Sequence, residues 1–567
     1  MSMTKRIFAL LLTVAMLVSV LCACNKPQEP NQTSATTTPD ATTPAETLPP
    51  DPPTTPPQKI TSVNITCGES TIEHFAATEL KWYFAKKGVA LSDDGFGIAV
   101  KMDTRYAKKD GYRIIADENG ATLIGNNERG VAYALYSFLE KFLGVHFYAT
   151  DTVVVDEGDV MIGGGLLDAF EPAFDIPRDP WSPIDKLPEK DGGSRTDSVV
   201  TKTLNLNTIT GSGTVQPCLT TPDRLPKAVQ IVHNYLRVIS VIDVLSFSPA
   251  TEADLYCTCE NCARVCEEEG SPAGLYVRFL NALTKEIAKE YPTLEYELVV
   301  RAYLKKAPTV TKLADNITVR FNTDKCHISH SVTDTNCPDA VAFAESMRSW
   351  GAFCDNINID YALTATKEYM PVFANLGSLQ KDMNFFAECG VKSIRFTGNI
   401  ACPSGEFGEL RVYLLSKLIQ DPTMSEEEYY THMDAFLAAF YGEGWTYIRK
   451  FIDKIIELSA DGHQTADGSH FDAITEQEYL ANEESFDEWW NRAEELAGDR
   501  LAFVKHGRYQ WRYIKLCLHP DKDAALALIE ENALSFNERV AWRNSQWNVD
   551  TEQTDFALPP TEWVYKS

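Results

Sequence analysis

Four carboxylates in this chain stand where a strand-like run gives way to a loop. Glu252 and Asp254 follow the apolar run 241–247, Asp324 follows 317–321, and Asp360 closes 357–359. Where parallel strands alternate with helices, the C-terminal strand ends are where side chains from several segments converge. Two carboxyl groups facing one another there can divide general-acid and general-base work between them. Arg301 and Tyr303, at the end of the run 296–303, have the types to hold a hydroxyl or carboxylate and to stack on a ring. Tyr361, Trp181 and Trp350 are further stacking candidates. Each residue also has a plainer reading as a solvated loop acid, a helix cap or a core aromatic.

A second kind of chemistry is written in the cysteines, of which there are 14. Cys257, Cys259, Cys262 and Cys266 crowd into one stretch, and Cys259-x-x-Cys262 has metal-ligand spacing. Cys326, His327, His330 and Cys337 form a second group able to complete a tetrahedral site. The leading set for a structural zinc is therefore Cys257, Cys259, Cys262 and Cys326, with disulfides as the competing use in an oxidising compartment. A catalytic zinc is the weakest reading, because thiolate-rich sites are usually closed. In either use the cluster pins the loop that carries Glu252 and Asp254, and the carboxylate chemistry itself requires no cofactor.

These residues need a frame, and the chain offers an α/β one. Residues 60–165 read as a small α/β domain. A strand over 60–66 leads to a helix over 72–87 with Phe75, Leu80, Tyr83 and Phe84 on its inner face. A hairpin turns at Asn119-Gly120, and a helix over 129–143 stops at Gly144. From 170 to 420 short apolar strands alternate with amphipathic helices. No glycine-rich phosphate loop follows any of them, which favours a (β/α)8-type TIM barrel over a doubly wound nucleotide-binding sheet. Residues 421–567 read as a helical C-terminal region, entered by a capping box at Ser425 and Glu428.

The N-terminus predicts export. Lys5 and Arg6 precede an apolar run over 7–21 that has the charged start and short core of a secretory signal, assigned to residues 1–23. Leu21-Cys22-Ala23-Cys24 resembles the bacterial lipobox, which makes Cys24 the lipidation site and places the protein on the outer face of the cell membrane, held there by its lipid alone. Residues 24–59, rich in Pro, Thr and Ala, read as a disordered tether. The formal charge of −28, from 80 acidic against 52 basic residues, argues against nucleic acid as a partner. The 10 Trp, 23 Tyr and 27 Phe supply rings of the kind that stack on sugars, although core packing accounts for most of them.

Several stretches resemble known families. The segment from Gly130-Val131-Ala132-Tyr133 through Phe142-Leu143-Gly144-Val145 is similar to the small domain that accompanies family 20 hexosaminidases and family 67 glucuronidases. Ser246-Phe247-Ser248-Pro249, Cys257-Thr258-Cys259-Glu260-Asn261-Cys262, Arg301-Ala302-Tyr303, Cys326, Asp360-Tyr361 and the run from Glu409-Leu410-Arg411 to Asp421-Pro422 resemble the domain-of-unknown-function family 4838. The resemblance spans roughly residues 65–460 and implies a glycoside-hydrolase-like protein with a barrel after the small domain. It supplies an architecture and a substrate class. It does not supply a mechanism, because family 20 enzymes use an adjacent Asp-Glu pair where this chain has Glu252-Ala253-Asp254.

The expectation is thus a surface-anchored glycoside hydrolase working through paired carboxylates drawn from Glu252, Asp254 and Asp360, with Arg301, Tyr303, Asp324 and Tyr361 binding the carbohydrate. A non-catalytic glycan-binding lipoprotein and an envelope scaffold are the alternatives.

Overall fold

In the small domain, alternating apolar residues build a mixed sheet that two helices cover. The computed structural model describes residues 50–177, 194–196, 200–211, 217–239, 241–250, 254–364, 372–398, 405, 407–469 and 471–531. Strands β1 (Thr55–Lys59) and β2 (Ser62–Cys67) are followed by helix α1 (Thr71–Lys86), then β3 (Ala90–Leu91), β4 (Phe96–Met102), β5 (Tyr112–Ala116), β6 (Gly120–Gly125), helix α2 (Glu128–Leu143), the hairpin β7 (Val145–Ala149) and β8 (Thr152–Val155), and β9 (Met161–Phe170). Seven of these strands form one sheet in the order β1-β9-β5-β6-β4-β2-β3. The core under α1 and α2 gathers Leu80, Phe84, Ile98, Ile114, Leu123, Leu135 and Phe138. Gly144 ends α2 in the left-handed region, φ 63°, where a side chain would be strained.

Two sequence expectations change here. The end of the assigned tether is ordered: β1 pairs antiparallel with β9, Lys59 opposite Met161. Phe75 is 42% exposed, because the buried stripe of α1 runs through Ala76, Leu80, Tyr83 and Phe84 and leaves Phe75 on its outer side.

The larger body is built on strands β10 (Asp175–Pro177), β11 (Ser194–Thr196), β12 (Thr201–Asn205), β13 (Val244–Ser248), β14 (Glu295–Val299), β15 (Ile317–Asn322), β16 (Ile357–Ala362) and β17 (Val391–Thr397). Every ladder among them is parallel, in the order β11-β10-β17-β16-β15-β14-β13-β12. Among the described residues no ladder joins β11 to β12, so the closed ring of a barrel is not shown by these pairings. Helices α3 (Leu206–Thr210), α4 (Arg224–Val238), α5 (Glu260–Glu269), α6 (Ala273–Ile287), α7 (Pro338–Gly351), α8 (Leu379–Glu388) and α9 (Gly408–Gln420) alternate with the strands, and six further helices between Glu426 and Glu531 complete the described chain. No described helix is long and apolar enough to cross a membrane.

The strand side chains sort by parity, as the pleat requires. One row, Leu245, Phe247, Tyr296, Leu298, Val319, Phe321, Ile357, Ile359, Tyr361, Ile394 and Phe396, is buried in the same core as Val232, Leu280, Met347, Met383 and Leu414 of the helices. The alternate row is polar: Ser246 and Ser248, Glu297, Arg320 and Asn322, Asp360, Arg395 and Thr397. The helix-covered face holds the sheet together and leaves the other free for chemistry.

Candidate active site and metal-ligating clusters

On the polar face four charged side chains form an alternating line across neighbouring strands. Arg320 bonds both Glu297 oxygens through Nε and Nη2 and reaches Asp360 Oδ1 through Nη1 at 2.5 Å. Arg395 Nη2 donates to Asp360 Oδ2 at 2.7 Å. The side chains of Glu297 and Asp360 are only 4% and 7% exposed, so each carboxylate needs the guanidinium beside it to offset its lost hydration. Both Asp360 oxygens are thus anchored by guanidinium groups.

Asp324 lies two residues beyond the end of β15 and is half-buried. Burial chiefly, and then the negative charge of Asp360, hold its carboxyl above the ordinary aspartate value, against a hydrogen bond involving Asn322 and the Lys325 ammonium. A carboxyl that keeps its proton to higher pH beside a second, ionic carboxylate is the arrangement a general acid needs.

At the end of β14, Arg301 directs Nη2 to Ser248 Oγ at 3.2 Å and to the Pro249 carbonyl at 3.4 Å, tying the ends of β13 and β14 together. Ala302, immediately after it, holds φ at 52°, an uncommon conformation for a residue with a side chain, and such strain gathers at functional sites. Asp254 is 60% exposed and pairs with Lys305 at 3.2 Å, so the loops after β13 and β14 also meet on the outside. Glu252 and Trp181 lie outside the described residues.

Three expected substrate contacts are core residues. Tyr361 is 1% exposed and donates its hydroxyl to Asp382 Oδ2 at 2.8 Å, on the helix-covered face. Strand alternation forbids it the face that Asp360 occupies. Tyr303 is 7% exposed and packs on Tyr256, and Trp350 is fully buried with Nε1 donating to the Leu304 carbonyl.

The cysteines assemble differently from their spacing. Cys218, Cys257, Cys259 and Cys262 bring their sulfurs within 4.8 Å of one another, with Cys218 Sγ 3.8 Å from Cys259 and 3.6 Å from Cys262. A tetrahedron with Zn–S bonds of ~2.3 Å has edges of about 3.8 Å, so the set fits a four-thiolate zinc site. The fourth member is Cys218, from the loop before α4, and not Cys326. Cys326 is partly buried, desolvation pushes its thiol pKa upward, and it belongs to neither ligand group. Cys266 stands outside as well, and all 11 described cysteines are free of disulfides. His327, His330 and Cys337 gather instead with His463. Neither Cys218 nor His463 carries a spacing signal, since each reaches its cluster from a distant loop.

Among protein families, one matches part of the chain. Residues 192–453 match the family described as Domain of unknown function (DUF4838). The matched stretch contains the described parallel strands from β11 to β17, the polar face and the four-thiolate cluster. No curated protein matches the chain. Among solved structures, a GH138 enzyme targeting pectin rhamnogalacturonan II is similar at TM-score 0.42 and 11% identity, over 83% of this chain and 73% of that one. CpGH84B is similar at TM-score 0.37 and 12% identity, over 87% and 90%. Likeness at that level carries no argument about activity. The site is read from its own residues.

Proposed function

We propose that the chain is a carbohydrate-active protein, a glycoside hydrolase whose reaction centre lies at the C-terminal ends of β13 to β17. The observation that carries this reading is Asp324, a carboxyl with a raised pKa beside the anchored Asp360 on the next strand. Asp324 protonates the leaving oxygen, and Glu252 or Asp254, on the loop after β13, supplies the second carboxylate as base or nucleophile. Arg301 and the part-exposed Arg395 orient substrate hydroxyl or carboxylate groups. Eight parallel strands with one polar face, whose two edge strands follow one another in the chain, support a (β/α)8 barrel closed between β11 and β12.

In the same reading Cys24 carries the lipid, residues 25–49 act as the tether, and the protein works outside the cell membrane. The Cys218, Cys257, Cys259 and Cys262 sulfurs hold a structural zinc that fixes the loop bearing Asp254. Substituting Cys24 with Ala should move the protein from the detergent phase to the aqueous phase.

The deciding experiment is release of sugar from a glycan panel by Asp324→Asn, Glu252→Gln and Asp254→Asn, with circular dichroism as the folding control. Loss of turnover in Asp324→Asn and in one of the other two is expected. Full turnover in all three overturns the assignment, and saturable binding without turnover by the unmodified chain would make it a glycan-binding lipoprotein instead.

A further inference from the structure

We propose that His327, His330, Cys337 and His463 form a second metal site, taking a divalent transition ion of the zinc class, separate from the four-thiolate cluster. Their ligand atoms lie within 4.8 Å of one another. His463 Nδ1 and His327 Nδ1 are 2.8 Å apart, and His327 Nδ1 is 3.3 Å from Cys337 Sγ. With Zn–N bonds of ~2.0 Å and a Zn–S bond of ~2.3 Å, tetrahedral edges of roughly 3.3–3.6 Å are required, so these two contacts need to open by only a few tenths of an ångström.

An independent observation points to the ion. His330 is 8% exposed and its Nε2 is buried without a hydrogen-bond partner, although burying such an atom unsatisfied costs stability. Its other nitrogen, Nδ1, lies 3.3 Å from the Ser331 carbonyl. That contact suits an Nδ1–H donor and leaves the Nε2 lone pair for a metal, since metal-bound histidines commonly donate their other ring N–H to a carbonyl or carboxylate. Asp339 Oδ2 lies 3.7 Å from the other His327 nitrogen, Nε2. Cys337 caps α7, its sulfur accepting the Ala340 amide. His463 is exposed and gives an ion a way in.

The ligands come from two loops that already interlock: the Ile328 amide donates to the Gln464 carbonyl, Ser329 Oγ to the Gly462 carbonyl, and Lys325 pairs with Asp467. A bound ion closes this clamp between the loop after β15 and the loop after the helix Trp445–Ser459, three residues from Asp324. The metal site stands whether or not glycan turnover is found, because its readout is metal content.

The test uses the intact chain, purified reduced in detergent, with zinc measured by elemental analysis and Co2+ binding followed by absorption. Two zinc equivalents per chain are expected. His327→Ala/His463→Ala should lose one, and Cys259→Ser/Cys262→Ser should lose the other while keeping a cobalt spectrum with a single-thiolate charge-transfer band. That band should vanish when Cys337→Ser is added and persist with Cys326→Ser. If the cysteine pair variant misfolds, the fall by one equivalent in the histidine variant, checked for fold by circular dichroism, decides alone. Unchanged zinc content in the histidine variant, or a cobalt band indifferent to Cys337→Ser, overturns the proposal.

Discussion

Asp360 and Arg395 are register partners across β16 and β17, and the guanidinium Nη2 sits 2.7 Å from Asp360 Oδ2. Arg320 holds the other oxygen and is itself shared with Glu297. Removing the Asp360 charge would leave the Arg395 guanidinium without this anion and Arg320 with Glu297 alone. Asp360→Asn is therefore expected to destabilise the fold by about 3 kcal/mol, the scale for breaking a buried pair from one side. A fall in the urea midpoint at constant slope is the measurement, and a change under about 0.5 kcal/mol would remove the anchoring role. Loss of activity in this variant alone consequently says little about chemistry.

Asp324 separates the two effects. Its carboxyl holds its proton above the ordinary value in the folded chain, so ionisation at neutral pH works against folding. Asp324→Asn should then change stability at pH 7 by less than about 1 kcal/mol while turnover disappears. As a general acid, Asp324 must be protonated, and activity should fall as pH rises through its raised pKa. The Lys325 ammonium lowers that pKa, so Lys325→Ala should move the alkaline limb of kcat/KM to higher pH. A limb that stays in place or moves down would count against Asp324 as the acid.

Much of this frame is legible in the sequence, and the misses share a cause. The apolar runs locate β13 to β16 within a few residues, and the Ser425–Glu428 capping box is present as read. Strand alternation shows that Asp360 and Tyr361, as neighbours in one strand, cannot serve one site. What local pattern does not provide is long-range assembly. Cys218 joins Cys259 from 41 residues away, and His463 meets His327 across 136. Cys326 has histidine neighbours in the chain, but those histidines gather around Cys337 and His463 instead. Asp324, read as a binding residue, emerges as the leading acid only once burial and the charge of Asp360 are known.

The contact between the small domain and the larger body gives a pH-dependent prediction. Glu140 accepts two hydrogen bonds from Lys417 Nζ, at 2.6 and 2.8 Å, and lies near His146. Burial opposes ionisation of Glu140, but His146 and Lys417 outweigh it and bring the carboxyl down to about 2. The His146 pKa is raised, the Glu140 hydrogen bond being the largest cause. The Glu140 contribution is therefore complete above pH ~4.5 and lost as pH falls toward 2, whereas the His146 contribution is complete below ~6.5 and lost as pH rises through its raised value. Glu140→Gln should cost about 2 kcal/mol, with the largest difference from wild type near pH 5.5 and smaller ones at pH 3 and pH 8. A difference flat across these three would show that the pair is solvated.

Asp382 carries the opposite sign. It is fully buried behind β16 and accepts hydrogen bonds from Tyr361 Oη, Ser331 Oγ and the Val332 amide, yet burial dominates and raises its carboxyl to about 6. Between the unfolded value near 3.8 and the folded value near 6, the folded chain binds more proton than the unfolded one, so stability falls as pH rises through that window. The shift corresponds to about 3 kcal/mol, absent below pH ~4 and fully developed above pH ~6. Asp382→Asn has no charge to desolvate and lacks this effect. The wild-type stability minus that of the variant should fall by about 3 kcal/mol between pH 4 and pH 7 in urea titrations, independently of the other acidic residues, which both chains share. An increase over that range would mean that the three donors hold Asp382 ionised in the folded chain, and that the Ser331 turn is tied to β16 by a buried anion.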